Sequence, residues 1–145
     1  MEVTQTIQET EDEIVDEFSL FDNWEDKYEY IIDLGKKLQS LDPKFKVEEN
    51  KIKGCQSQVW LVTDEHEGRI YFTADSDAVI VRGLVSMLIR VLSGHTPQEI
   101  IDTKLDFINK IGMTTHLAQT RSNGLLSMVK QMKNYALAYK LKEQL

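Results

Sequence analysis

The chain has 145 residues, of which 41% are hydrophobic and 28% are charged. This composition is typical of one globular domain with a core of its own. The longest apolar stretch, Ala78 to Leu92, contains two arginines, so it does not suit a membrane span of roughly 20 apolar residues. The first residues do not resemble a secretory signal, which needs a basic segment before an apolar run. We expect a single cytoplasmic domain over residues 1–145, without a membrane partner.

The net charge of −7 is unevenly distributed along the chain. Residues 1–26 contain ten carboxylates and no lysine or arginine, whereas the remainder carries 17 basic and 14 acidic side chains. No basic stripe alternates with aromatic residues, so binding to nucleic acid is not expected. We interpret the acidic segment, whose first part is a predicted helix within residues 1–17, as a solvated helix face. Attraction to a basic partner is the alternative.

Two helices are predicted in the first third of the chain. Apolar side chains recur at the spacing of one helix face between about Thr6 and Phe21. Asp22 is predicted to cap a second helix, with Glu25 completing a capping box. Gly35 lies on the apolar stripe of that helix, where a missing side chain lets another element approach. Pro43 is expected to stop it.

A hairpin of two strands is predicted next. Ser57 to Thr63 alternates in a way that favours a strand, with Leu61 on one face and Trp60, interpreted as a core residue, on the other. Residues 64–68 are polar and suit the connection, and Arg69 to Ala74 forms the returning strand.

Helices return in the second half. Residues 75–77 are predicted to cap a helix that runs through Leu92 and is apolar nearly all round, so it is expected at the buried centre. Arg82 and Arg90 are expected to mark its solvent edge. Thr96-Pro97-Gln98-Glu99 is a start signal with a capping box. A short helix near Leu105 to Ile111 and a final helix from about Asn123 to Lys142 follow. The order predicts an α+β fold, a small antiparallel sheet packed by helices.

Cys55 is the only cysteine, so an internal disulfide and a site with several thiolates are excluded. The three histidines lack metal-ligand spacing, and no metal site is expected. A lone cysteine is most often a small buried side chain. Cys55, however, follows Gly54 at a junction of loop and strand, where reactive groups concentrate. If Lys51 to Cys55 is extended, Lys51 and Lys53 lie on the same side as the thiol and favour the thiolate.

The absence of an evident catalytic base for Cys55 indicates which chemistry its thiol can perform. A cysteine hydrolase needs a histidine to activate the thiol, and His116 is the only candidate far enough along the chain. Nothing diagnostic flanks it, so we interpret it as an ordinary helix-end histidine. A thiolate without a dedicated base suits exchange between sulfur atoms.

The segment Gly54-Cys55-Gln56-Ser57-Gln58-Val59-Trp60 resembles the active-site motif of the SufE family, the sulfur acceptors that work with cysteine desulfurases. Four further segments resemble landmarks of that family in the same order: Asn23–Tyr28 through Gly35, Asp75–Ala78 through Leu84, Thr96-Pro97 with Ile100, and Arg121–Leu125. The resemblance extends from about Phe18 to the last helix.

The resemblance implies a fold similar to IscU-type scaffold proteins and a role in sulfur transfer. A SufS-type cysteine desulfurase holds sulfur from free cysteine as a persulfide. The SufE-like thiol, here Cys55, takes that sulfur, stimulates the desulfurase, and delivers the sulfur to a SufB-C-D-type scaffold for iron–sulfur cluster assembly. Pyridoxal phosphate belongs to the partner desulfurase, so no cofactor is expected on this chain.

Five further site residues are carried over from the resemblance, each with a structural alternative. Gly54 supplies loop freedom or a tight turn. Gln56 and Gln58 hydrogen-bond the loop or are ordinary polar strand residues. Arg121 stabilises the thiolate or persulfide by its charge, or binds carbonyls at a helix end. Asp77 lies near the cysteine or the partner surface, or is a simple helix cap, which the residues alone favour.

Two other functions are compatible with the residues. The chain is either a sulfur carrier or a non-catalytic adaptor that activates the desulfurase allosterically, with Cys55 dispensable. A redox-sensing thiol protein is the third possibility, and it requires a thiol that reacts with peroxide in the absence of a partner.

Overall fold

The computed structural model describes residues 5–54, 57–113 and 119–143, except for the side chains of 119–123. Within these ranges the fold is α+β, as predicted, with a two-stranded antiparallel sheet and six α-helices. The elements are α1 (Ile7–Phe18), α2 (Trp24–Lys37), β1 (Val59–His66), β2 (Arg69–Ser76), α3 (Val79–Leu92), α4 (Pro97–Asp102), α5 (Phe107–Lys110) and α6 (Gln119–Glu143). None of the described helices is both long enough and apolar enough to span a bilayer.

The first two helices begin at side-chain caps. Thr6 Oγ1 accepts the Glu9 N–H at 3.0 Å, and the Glu9 carboxylate accepts the Thr6 N–H, which completes a capping box for α1. The prediction that Asp22 caps α2 is wrong by one residue. Asn23 has the extended backbone of a cap, and its Oδ1 accepts the Asp26 N–H at 2.8 Å. Both residue types cap well, so the local pattern does not separate the two neighbours.

Helix α3 lies at the centre of the domain, as predicted. It packs against α1, α2, β2 and α6, and most of its side chains are buried. The crossing with α2 is very close, because a Cβ on Gly35 would lie 2.2 Å from the Val79 carbonyl oxygen. A Cβ on Gly83 would lie 2.0 Å from the Ile31 carbonyl oxygen. The close approach expected at Gly35 is therefore confirmed, with Gly83 as its counterpart on α3.

The start of α3 and the place of Arg82 differ from the prediction. Residues 75 and 76 belong to β2, and α3 begins after Ala78 without a side-chain cap. Arg82 does not mark a solvent edge. Its Nε donates to the Gly35 carbonyl at 3.0 Å, and its other nitrogens bind the Leu38 carbonyl and the Asp75 carboxylate. Arg90, at the far end of α3, is exposed and binds Glu13 and Glu17 on α1.

The hairpin is longer and its turn tighter than predicted. The strands pair from Val59 with Ser76 to His66 with Arg69, so the connection consists of Glu67 and Gly68 alone. Both residues have positive φ, 54° and 78°, which matches the twist of paired strands. Residues 64–66 are polar and exposed because this end of the hairpin projects away from the core. At the other end of β1, Val59, Trp60 and Leu61 are all buried, so both faces of the strand are covered there.

The later elements follow the prediction closely. Thr96 and Glu99 form the predicted capping box of α4, with Pro97 at its first position. The short helix α5 lies within the predicted range, and Gly112 follows it with a φ of 87°. Helix α6 is a few residues longer than predicted at its beginning. It buries its predicted apolar stripe, including Leu125, Met128, Met132 and Ala136.

The acidic segment is only partly a solvated face. Glu9 and Asp12 are exposed, but Glu11 is 4% exposed, and its carboxylate accepts the Phe107 N–H at 3.2 Å. Burial raises the pKa of Glu11 above its usual value, and this hydrogen bond partly offsets the effect. The expectation of full solvation is therefore wrong for Glu11, which joins α1 to α5.

Candidate functional site

The segment around the cysteine is a short connection closed by backbone hydrogen bonds. The Ile52 N–H donates to the Val59 carbonyl at 2.8 Å, and Lys51 forms a β-bridge with Trp60. Residues 53–58 therefore connect two positions, Ile52 and Val59, whose backbones are hydrogen-bonded to each other. Cys55 and Gln56 lie outside the described residues. The described chain ends at Gly54 on one side and resumes at Ser57 on the other.

Gly54 occupies a position that requires glycine. Its φ of 90° lies in the left-handed region, and a Cβ there would lie 2.7 Å from the Ser127 Oγ of α6. A side chain would therefore meet both backbone strain and a collision with α6. The premise of an extended run from Lys51 to Cys55 is wrong, since residues 53 and 54 form a turn. The tight-turn interpretation of Gly54 is confirmed.

Asp77 holds the other end of the connection. Its Oδ1 accepts the Gln58 N–H at 3.0 Å, while its own N–H donates to the Gln58 carbonyl at 3.3 Å. Asp77 is therefore not the cap of α3, for which Ala78 takes the capping position without a side-chain bond. The Gln58 side chain is exposed, and the contacts that anchor this residue are made by its backbone. This pair ties the loop exit to the segment between β2 and α3.

Asp75, two residues earlier in the chain and within β2, is fully buried. Burial by itself raises the pKa of this carboxyl. The N–H groups of Leu41 and Ser76, together with Lys46 and Arg82, outweigh that effect and hold its pKa below the usual value. The carboxylate is thus ionised and satisfied from three segments of the chain. We name this set of contacts, Asp75 with Arg82 and Lys46, the Asp75–Arg82 junction.

Trp60 is 9% exposed, which confirms its interpretation as a core residue. It stands opposite Asp75 on β2, and the Lys46 Nζ lies 5.6 Å from its ring centroid. Trp60 therefore packs between the Asp75–Arg82 junction and the closed end of the loop.

Arg121 belongs to α6, the helix whose Ser127 meets Gly54, but its side chain lies outside the described residues. The roles given to Gln56 and Arg121 therefore stay predictions. His116 also lies outside the described residues.

A groove of about 520 Å³ runs between α6 and the segment that enters the loop. Lys51 and Lys53 line one wall; Ser127, Lys130 and Asn134 line the other. Sequence inspection missed this groove because its walls are about 80 residues apart in the chain, and neither wall carries a local motif. Its charge comes from lysines brought together by the fold.

Within the described ranges, no group of three or more histidine, cysteine, aspartate or glutamate side chains is arranged to hold a metal ion.

Comparison with known proteins identifies the family. Residues 12–136 match the model of the SufE domain, described as an Fe-S metabolism associated domain. An uncharacterised SufE-like protein of Rhizobium meliloti is 45% identical over 131 residues, which cover 86% of this chain and 93% of that protein. A second, from Rhizobium etli, is also 45% identical over 131 residues, covering 86% of this chain and 88% of that protein. One from Synechocystis is 38% identical over 128 residues, covering 88% and 80%.

A solved structure agrees with the fold. The solution structure of a hypothetical protein from Thermus thermophilus superimposes with a TM-score of 0.72, covering 89% of this chain and 94% of that one. Its 15% sequence identity supports a shared fold alone. The sequence matches carry the further conclusion that the chain belongs to the SufE family and has a role in iron–sulfur metabolism.

Proposed function

We propose that the chain is a cytoplasmic sulfur carrier that accepts persulfide sulfur on Cys55 from a SufS-type cysteine desulfurase. One observation carries the proposal: the only cysteine of a SufE-family chain lies in the connection 53–58, which a backbone hydrogen bond between Ile52 and Val59 closes. Reactive groups concentrate on loops that a rigid scaffold positions, and such a position in the chain suits a thiol that must meet a second protein.

The transfer step is an exchange between sulfur atoms. The Cys55 thiolate attacks the outer sulfur of the desulfurase persulfide, which forms a new S–S bond on this chain and breaks the S–S bond of the donor. The proton stays on the transferred sulfur, and the desulfurase cysteine leaves as a thiolate. No net oxidation or reduction occurs, so no further reactant is needed. Delivery to a SufB-C-D-type scaffold repeats the exchange with an acceptor thiolate.

Each of the other predicted site residues has a role in this proposal. Gly54 allows the left-handed turn that leads into the loop against α6. Asp77 fixes the loop exit through the Gln58 backbone. Arg121 supplies positive charge that favours the thiolate or the persulfide anion, and Gln56 hydrogen-bonds within the loop. Pyridoxal phosphate acts in the desulfurase, where it enables release of sulfur from free cysteine.

The stimulation of desulfurase turnover tests the proposal against an adaptor that works by docking alone. Wild-type chain and Cys55→Ser are added in turn to a SufS-type desulfurase with cysteine, and alanine formation is followed without an added thiol. We expect stimulation by the wild type and none by Cys55→Ser, because the serine hydroxyl does not accept sulfur. Equal stimulation by both proteins would make the chain an adaptor and Cys55 a structural residue.

A further inference from the structure

The surface beside the loop combines positive charge with exposed apolar side chains. The chain has a net charge of −7, yet the groove between α6 and residues 49–53 is lined by three lysines and one glutamate. Lys51 lies 3.6 Å from Glu48 and is partly neutralised. Lys53 and Lys130 are exposed and make no ion pair within the described part of the chain. The groove is therefore locally positive on a molecule whose net charge is negative.

Helix α6 adds an apolar stripe along the same side. Leu126, Leu137 and Leu141 are 62%, 47% and 55% exposed, and their spacing places them on one helix face together with Lys130 and Asn134. Lys130 and Asn134 both line the groove. The opposite face of α6 is buried in the core, so these leucines are exposed on the outer side of the helix, where a surface helix is usually polar.

We propose that this surface, the groove with its leucine rim, binds an acidic segment of the cysteine desulfurase that carries apolar side chains along one side. The charge of the groove calls for carboxylates. The leucines extend over about 22 Å of helix, which is longer than a small anion and suits a polypeptide segment. The inference rests on the proposed function, which supplies the desulfurase as the partner.

The position of the surface explains why a partner bound there reaches the thiol. Ser127 lines the groove and also meets Gly54, the residue directly before Cys55 in the chain. A segment seated between Lys53 and Lys130 therefore lies against the entry of the loop. Exchange between sulfur atoms requires contact, so a docking site one residue from the cysteine brings the donor persulfide within reach.

Charge reversal in the groove tests the proposal. The double variant K53E/K130E changes two exposed lysines, and K37E/K104E applies the same charge change to exposed lysines that do not line the groove. Binding of each full-length protein to the SufS-type desulfurase is measured by calorimetry at low and high salt. We expect K53E/K130E to bind about tenfold more weakly at low salt, with the difference shrinking at about 0.5 M salt. The control should bind as the wild type does.

The leucine rim is tested with Leu126→Gln, which removes an exposed apolar side chain and should leave folding intact. We expect it to weaken binding several-fold at both salt concentrations, because apolar contacts are not screened. Unchanged affinity of K53E/K130E, or equal weakening by K37E/K104E, would overturn the proposed docking surface. Sulfur uptake at saturating desulfurase distinguishes failure of the docking surface from failure of the proposed function. If K53E/K130E takes up sulfur and binds with unaltered affinity, only the proposed docking surface is refuted. Absence of uptake by the wild type refutes the proposed function.

Discussion

Asp75 and Asp77 are two residues apart at the end of the hairpin, yet they belong to different parts of the molecule. Asp75 is fully buried and accepts hydrogen bonds from the Leu41 and Ser76 N–H groups at 3.0 and 2.8 Å. It also binds Arg82 and, at 3.1 Å, Lys46. Asp77 is exposed, and among the described residues it is bonded to the backbone of Gln58 alone. Within two residues the chain thus changes from a buried aspartate with several partners to an exposed aspartate that is bonded to the backbone at the loop exit.

The two aspartates are therefore expected to differ in how much their contacts contribute to the stability of the fold. Breaking the Asp75–Arg82 junction leaves a buried charge without its partner, and such a loss is large. Releasing Asp77 exposes one backbone N–H to water at the surface, and that loss is small. We infer that the buried Asp75–Arg82 junction secures the fold next to the loop exit. The following substitutions test this contrast, from the largest expected effect on stability to the smallest.

The largest effect is expected for Arg82→Met. This change leaves the Asp75 carboxylate buried without its arginine and frees the Gly35 and Leu38 carbonyls at the end of α2. We expect the free energy of unfolding to fall by about 3–5 kcal/mol, measured by urea denaturation. Arg90→Met on the same helix is the matched control, because it removes an exposed arginine and should cost only about 0.5 kcal/mol. Similar losses in both variants would refute the special role of the junction.

Gly83→Ala tests the close helix crossing next to Arg82. The added methyl group would lie 2.0 Å from the Ile31 carbonyl oxygen, so α2 and α3 must move apart. We expect a loss of about 3 kcal/mol in urea denaturation. Gly68→Ala is the control, since nothing lies within 4 Å of its Cβ position and only the left-handed backbone costs about 1 kcal/mol. A smaller loss at Gly83 than at Gly68 would show that the crossing is adaptable.

His95 predicts a moderate dependence of stability on pH. Burial lowers its pKa below the usual value, and the nearby Glu99 only partly opposes this. Below the unfolded pKa of about 6.5, the unfolded chain binds a proton that the folded chain resists. Stability should therefore fall as the pH drops below about 6.5 towards the folded pKa, by at most about 1.4 kcal/mol per pH unit for one group. His95→Gln should flatten this slope in urea denaturation; an unchanged slope would assign it to other groups.

The smallest effect on stability is expected for Asp77→Ala, which nevertheless should change the loop. The variant frees the Gln58 N–H at an exposed position, for a loss of about 0.5–1 kcal/mol. Because the loop exit loses its tether, we expect a bulky alkylating reagent to label Cys55 faster than in the wild type. Asp64→Ala, an exposed aspartate at the far end of the hairpin, is the control. Equal labelling of wild type, Asp77→Ala and Asp64→Ala would show that Asp77 does not restrain the loop.

The sequence predicted those features that depend on local patterns. Apolar spacing identified the central helix α3, and the residues 96–99 identified the start of α4 with its capping box. Gly35 was recognised as a point of close approach because it interrupts an apolar stripe. The motif around Cys55 and four further segments in the same order predicted the family, and the comparisons confirmed it over most of the chain.

The features that were missed depend on contacts between distant segments. Arg82 resembles a surface arginine in the sequence, and only the fold brings it to Asp75 and to the end of α2. Asp77 follows the pattern of a helix cap, but β2 continues to Ser76 and leaves Asp77 facing Gln58. The groove lysines lie on two segments that no local signal connects. Capping and turn rules act within a few residues, whereas ion pairs and grooves are set by tertiary packing.

The most direct test of the account is intact-protein mass spectrometry after the chain has been incubated with a SufS-type desulfurase, pyridoxal phosphate and cysteine, without reductant. Wild-type protein and Cys55→Ser are measured in parallel. The account predicts a gain of one or more sulfur atoms on the wild type and none on the variant. A wild-type mass without added sulfur, while desulfurase turnover is still stimulated, would contradict covalent transfer and show that the chain acts by docking.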